Sequence, residues 1–206
     1  MNLYAEKYKR ILDLFLSVFL TIFFLPIIGI IWFSIWLTDG NPVIFRQLRP
    51  GFLGKPFIIY KFRTMKDSKD ERGNPLPDKY RLTTFGKFLR LTSLDELPEL
   101  WNVIKGDMSI VGPRPLLLRY NQYLTDEENK RCLVKPGITG LAQINGRNLA
   151  NWSQRFKLDL KYIDNMSLKR DLIIIVFTII NVIILKDIIL APNSKMLDLD
   201  DERKNR

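Results

Sequence analysis

Residues 14–37 carry no charge: leucine, isoleucine, valine, phenylalanine and tryptophan dominate, and Pro26 stands in the middle. An apolar run beyond about 18 residues predicts a membrane-embedded helix. It is longer than the apolar core of a secretory signal, roughly 7–15 residues, and no small-residue cleavage site follows it. Pro26 has no N–H for the carbonyl of Ile22 and its ring clashes there, so the pattern predicts a break at that point. Lys7, Lys9 and Arg10 precede the run, while Arg46, Arg49, Lys55, Lys61 and Arg63 follow it. Both flanks therefore favour the cytoplasmic side. A re-entrant helix that dips in and returns satisfies them; a kinked single span is the alternative.

Beyond the run, the pattern becomes short and punctuated. Residues 43–47 and 57–63 read as two strands around Pro50, Gly51 and Gly54. Period-two alternation puts Lys61 and Arg63 on one face, with Tyr60 and Phe62 on the other. Residues 66–81 are polar and read as a surface loop, a candidate lid. A short helix follows at 84–91. The next is expected to start with Asp95 as N-cap, bury Leu97, Leu100, Trp101 and Ile104, and end at Gly106. Residues 107–111 read as a strand, and Thr125 to Glu128 as a capping box. Residues 135–140 suggest a turn and 141–144 a strand, and Asn145-Gly146 a tight turn presenting Arg147. Asn151 or Ser153 caps a helix carrying Phe156, Leu160 and Ile163. In the last helix, 168–190, the apolar core at 172–185 spans only about 21 Å, short of the roughly 30 Å of a bilayer core. It reads as interfacial or buried rather than a second span.

The predicted fold class is α+β, mostly helical, in three parts. Residues 1–40 form a re-entrant membrane helix broken at Pro26, behind a basic flank. Residues 41–190 form a small cytosolic domain with short strands and interfacial amphipathic helices. Residues 191–206 form a charged tail expected to be disordered.

Composition narrows the chemistry. With 32 Lys+Arg against 22 Asp+Glu, the net charge of +10 calls for an anionic partner. The apolar run turns that partner towards lipid headgroups or phosphorylated small molecules and away from nucleic acid. The chain has no histidine and a single cysteine, Cys132. An imidazole base, a Ser-His or Cys-His nucleophile, a His- or Cys-built metal site and an intrachain disulfide are thereby excluded. Carboxylates, lysines, arginines and a hard, oxygen-bound cation remain.

Asp95 and Glu96 stand together in Thr92-Ser93-Leu94-Asp95-Glu96-Leu97-Pro98. Two readings stay open for them. Ser93-x-x-Glu96 matches a capping box, and carboxylates suit a helix N-terminus in any case; equally, the pair can do chemistry. Arg114, between two prolines in Gly112-Pro113-Arg114-Pro115, is either part of a rigid turn or a stiffly held phosphate ligand.

Motif order adds a resemblance. Tyr60-Lys61-Phe62-Arg63-Thr64-Met65, Ser93 to Pro98, Asn102-Val103-Ile104-Lys105-Gly106-Asp107-Met108-Ser109, Gly112 to Pro115 and Lys135-Pro136-Gly137-Ile138-Thr139-Gly140 together resemble the bacterial sugar transferases. Among these, the chain looks like the small monotopic phosphoglycosyl transferases that begin lipid-linked glycan assembly, and the likeness runs from Lys9 to about Leu190. It implies transfer of a sugar-1-phosphate from a UDP-sugar to polyprenyl phosphate, releasing UMP, by a ping-pong route. Asp95 would be the nucleophile that forms a phosphosugar intermediate, with Mg2+ beside it, and Glu96 would deprotonate or orient the lipid phosphate. Arg114 and Arg147, and more weakly Lys61 and Arg63, would hold phosphates. It implies a bacterial inner-membrane protein with its catalytic domain on the cytoplasmic face, and leaves a homodimer open. One departure is Leu25 before Pro26, where members of the family often carry serine. The competing class is a membrane-anchored binding or scaffolding protein of a glycan pathway.

Overall fold

The computed structural model describes residues 4–145, 151–184 and 198–204. Helix α1 (Lys9–Asp39) precedes an antiparallel hairpin, β1 (Ile44–Pro50) and β2 (Pro56–Phe62). Next come α2 (Asp78–Arg81), α3 (Thr84–Leu91), a 3-10 turn at Leu94–Glu96, and α4 (Glu99–Lys105). Strand β3 (Ser109–Val111) pairs in parallel with β4 (Gly137–Thr139), and α5 (Asp126–Asn129) lies between them in sequence. Among the described residues, α6 (Leu141–Ile144), α7 (Trp152–Asp164), α8 (Leu168–Ile183) and α9 (Leu199–Lys204) follow. The class is α+β and mostly helical, as the pattern predicted.

Among the described residues, α1 is the one helix long and apolar enough to cross a membrane. It runs through Pro26 without the predicted interruption. Proline removes one hydrogen bond of the ladder, and the bonds on either side suffice to carry the helix across that gap. Both ends of α1 rest on the same folded unit. At the start, Lys9 Nζ meets Asp171 of α8 at 2.6 Å, Arg10 donates to the carbonyls of Val103 and Ile104 (2.5 and 2.8 Å), and Asp13 accepts from Ile110 N–H at 3.1 Å. Towards the end, Ile31 and Ile35 are buried against Val43, Phe62 and Leu89. Between them Ile22, Phe23, Leu25 and Ile27 stay exposed.

Three apolar clusters hold the remainder. The largest joins Phe57 and Ile59 of β2, Leu100 and Val103 of α4, Met108, Ile110, Val111, Tyr162 and Ile174. The second is the α1–hairpin cluster, and Leu97 packs against both. The third contains Leu116, Tyr120, Trp152, Phe156 and Leu199. Its last member belongs to the tail expected to be disordered, of which 191–197 and 205–206 lie outside the described residues; within 198–204, α9 docks by a fully buried Leu199, and Arg203 pairs with Glu128 at 2.5 Å. Charge alone suggested disorder; one leucine and an arginine with a matching carboxylate supply the anchor.

Other differences have equally local causes. Residues 141–144 form the helical turn α6, because Gly140 O accepts from both Gln143 and Ile144 N–H and ends the strand at Thr139. The 66–81 segment contains α2 and two isolated bridges, Met65 to Leu82 and Lys69 to Pro75. Asn151 caps α7 in a full capping box with Gln154. That helix buries Trp152, Phe156, Asp159 and Tyr162, leaving Leu160 and Ile163 half-buried. In α8, Leu172, Val176, Phe177, Ile180 and Ile183 remain exposed, which fits the interfacial reading.

Candidate active site

The site begins where α4 meets β2. Asn102, fully buried, accepts from Tyr60 N–H (3.1 Å) and donates to Ile58 O (2.7 Å), completing the backbone pairing that β2 has no third strand to satisfy. This contact sets the rotation of α4. Glu99, Leu100, Asn102 and Val103 turn inward, and Trp101, expected in the buried stripe, is 56% exposed. Helix α3 is fixed just as tightly: a Cβ on Gly86 would lie 2.0 Å from Thr64 O, so only glycine lets α3 reach the end of the hairpin.

The acidic pair lies ahead of α4, not as its cap. Ser93 adopts a left-handed conformation (φ 57°) and makes no side-chain cap bond, so the Ser93–Glu96 capping box does not form. Leu97 and Leu100 N–H bond three residues back, to Leu94 and Leu97 carbonyls. Pro98 has no N–H with which to join an α-ladder, so the regular helix begins only at Glu99. The resulting tight turn brings Asp95 and Glu96 under the hairpin.

Glu96 Oε1 accepts from Lys61 Nζ and from Arg114 Nη2, each at 2.6 Å. Lys61 Nζ also lies 3.0 Å from Glu99 Oε1, and Glu99 is 1% exposed. Burial would raise Glu96, but Arg114 and Lys61 outweigh it and hold this carboxyl far below the ordinary range. Asp95 is in the opposite condition. Burial, then the neighbouring Glu96 charge, push it up to about 6 against the pull of Lys61, Arg114 and Arg90. Among the described residues Asp95 has no hydrogen-bonded or ion-paired partner. Glu99 is raised to about 7, chiefly by burial, with Lys61 opposing.

Arg114 is presented by a braced loop. Buried Arg131 pairs with Asp159 (2.7 Å) and donates to Arg114 O (2.8 Å), while Arg49 reaches Pro115 O at 3.4 Å. The Arg114 side chain is 47% exposed, so a ligand can reach it. The structure thus brings together Asp95, Glu96, Lys61 and Arg114. Arg63 is elsewhere: its Nη2 donates to the carbonyls of Asp39 and Gly40 and ties off the end of α1. Strand β2 stops at Phe62, so the alternation that paired Arg63 with Lys61 no longer applies. Arg147 lies outside the described residues.

Sequence reasoning passed over Glu99, Arg90 and Arg49. Glu99 follows Glu96 by three residues and Asp95 by four, a spacing that places groups on one helical face and was the available signal. Arg90 donates to Thr64 Oγ1 at 3.0 Å, a contact between residues distant in sequence that no local pattern announces.

The model of the family described as bacterial sugar transferase matches residues 4–185. The chain belongs to the bacterial sugar transferase family. It is similar to the uncharacterized sugar transferase EpsL of Bacillus subtilis, at 50% identity over 85% of this chain and 87% of that one. It is similar also to the UDP-glucose:undecaprenyl-phosphate glucose-1-phosphate transferase of Klebsiella pneumoniae, at 43% identity over 84% of this chain and 39% of the relative. The undecaprenyl-phosphate galactose phosphotransferase of Salmonella typhimurium is 36% identical over 87% of this chain and 41% of its own length. This bacterial sugar transferase therefore spans about two fifths of the latter two relatives, and the family match takes in α1, the hairpin, the acidic turn and all of α8.

Proposed function

We propose that this bacterial sugar transferase moves a sugar-1-phosphate from a UDP-sugar to polyprenyl phosphate, by way of a covalent phosphosugar on Asp95. The observation that carries this reading is the contrast between two adjacent carboxylates. Glu96 is clamped by two cations, whereas Asp95 is buried, unpartnered and titrates just below neutrality. A carboxylate left uncommitted beside Lys61 and Arg114 is suited to attack phosphorus. Its oxygen bonds to the β-phosphorus, the bond to the bridging oxygen breaks, and UMP leaves with the electron pair. An oxygen of the lipid phosphate then attacks the same phosphorus and returns Asp95 as a free carboxylate. Phosphoryl transfer asks mainly for positioning and charge neutralisation, which lysine and arginine supply without histidine. Glu96, ionised and doubly bonded, is suited to orienting Lys61 and Arg114 rather than to taking a proton.

The donor set also suits Mg2+, which favours one or two carboxylates completed by substrate phosphates. Asp95 would hold the ion, being the carboxylate without a protein cation; when bound, it would screen the diphosphate charge. The exposed faces of α1 and α8 support a bilayer location, and the basic flanks support an inner-membrane protein with its catalytic domain on the cytoplasmic face. The relatives named for glucose and galactose transfer support the reaction class while leaving the sugar open.

Incubation with a panel of radiolabelled UDP-sugars and Mg2+ tests the proposal. The protein itself is expected to become labelled by at least one sugar with release of UMP, and Asp95→Asn to abolish the label. Turnover by wild type without label would overturn the covalent route. A scaffolding protein would keep its role in the pathway with asparagine at 95.

A further inference from the structure

The family match ends at residue 185, so α9 lies beyond it. This short helix nevertheless reaches the Arg114 loop by two routes. The first is apolar. Leu199 is fully buried in the cluster with Leu116, Tyr120, Trp152 and Phe156. Only Pro115 separates Leu116 from Arg114, and proline fixes one of the two backbone torsions at its position. A shift of Leu116 is therefore passed on to Arg114 rather than absorbed between them. The second route is polar. Arg203 donates to the carbonyl of Tyr123 and to both carboxylate oxygens of Glu128, the latter at 2.5 and 2.7 Å, which ties α9 to α5. Its guanidinium lies over the Phe156 ring, 5.5 Å from the centroid. The guanidinium of Arg131 lies over that same ring at 5.6 Å, and Arg131 donates to Arg114 O at 2.8 Å. Arg119 holds the start of α9 by pairing with Asp198 and, at 3.6 Å, with Asp200.

We propose that α9 is a clasp that positions Arg114 for the transfer reaction, with Leu199 and Arg203 as its positioning residues. This rests on the phosphate-binding role given above to Arg114. Neither residue belongs to the acidic turn or to the cations paired with it; they act through Leu116 and Arg131. Arg114 shares Glu96 Oε1 with Lys61, each at 2.6 Å, which gives its guanidinium a defined place beside Asp95. Close-packed interiors transmit displacements, and a misplacement of about 1 Å can lower a rate by up to about a hundredfold. The competing reading is that α9 only stabilises the segment it covers. The two differ in what they do to catalysis by folded protein.

The test uses the full chain in detergent micelles, with release of UMP measured from the UDP-sugar that labels wild type and from polyprenyl phosphate as acceptor. Leu199→Ala and Arg203→Gln are each expected to lower kcat/KM about tenfold at temperatures well below their unfolding transitions. Leu199→Met refills the apolar socket and should stay within about twofold of wild type. The deciding arm is a double-mutant cycle with Arg114→Lys, which keeps a cation there but not the planar fork. In that background Leu199→Ala and Arg203→Gln should cost less than about twofold, because the placement they secure is already lost. Folded variants with wild-type kcat/KM would overturn the proposal. So would an undiminished loss in the Arg114→Lys background, which would make α9 a general stabiliser of the fold. Failure of wild type to release UMP from every UDP-sugar would count instead against the underlying reaction.

Discussion

Asp95 and Glu96 are neighbours with opposite electrostatic fates, and their pH behaviour separates them. On the proposed covalent route Asp95 must be ionised to attack, so with its pKa near 6 the labelling rate should fall about tenfold per unit below that pH. Stability runs the other way for this group. Its pKa is raised above the unfolded value, so the folded state favours its protonated form, and that contribution disappears as pH rises through about 6. Glu96, held low, contributes stability above the unfolded carboxylate pKa and loses it on strong acidification. Two glutamine substitutions divide the roles. Glu99→Gln removes a group that titrates near 7 while keeping its shape, so turnover should stay within about tenfold and any inflection near pH 7 should vanish. Glu96→Gln strips Lys61 and Arg114 of their shared acceptor and should cost about a hundredfold in kcat/KM. Equal effects from the two would contradict this division.

At the scale of elements, position is set by a few polar contacts between segments far apart in sequence. Asn102 sets α4 on the edge of β2, and that single contact decides that Glu99 faces Lys61 while Trp101 faces outward. The Arg114 loop depends on the Arg131–Asp159 pair, whose side chains are 6% and 5% exposed. Asp159→Asn leaves a buried guanidinium without its counter-charge and should destabilise the protein by about 3 kcal/mol. It should also lower turnover, because Arg131 anchors Arg114 O. Thermal unfolding in detergent and steady-state assays would measure the two effects; an unchanged melting temperature would remove the brace from the account.

Across the whole molecule, the informative feature is that α1 begins and ends on the same folded unit. Lys9, Arg10 and Asp13 hold one end and Ile31 and Ile35 the other, with an exposed apolar middle. With basic residues on both flanks, the expected topology has both ends of α1 on one side of the membrane. In a Cys132→Ser background, single cysteines placed before Lys7 and just after Asp39 should react from the same side with an impermeant thiol reagent. Opposite sidedness would establish a span instead.

The long apolar helix, the hairpin and the candidacy of Asp95, Glu96, Lys61 and Arg114 were legible in the chain itself. Each rests on signals that act over a few residues: an uncharged run, proline and glycine punctuation, adjacent carboxylates, an arginine between prolines. Tertiary structure alone decided that Arg63 ties off α1, that Glu99 joins the site, that residues 141–144 turn into a helix and that the C-terminal helix docks through Leu199. These outcomes depend on which distant group completes a hydrogen bond, an ion pair or an apolar contact. Local sequence determined which chemical groups this protein can offer; long-range packing decided which of two adjacent carboxylates is clamped by cations and which is left without an ion pair.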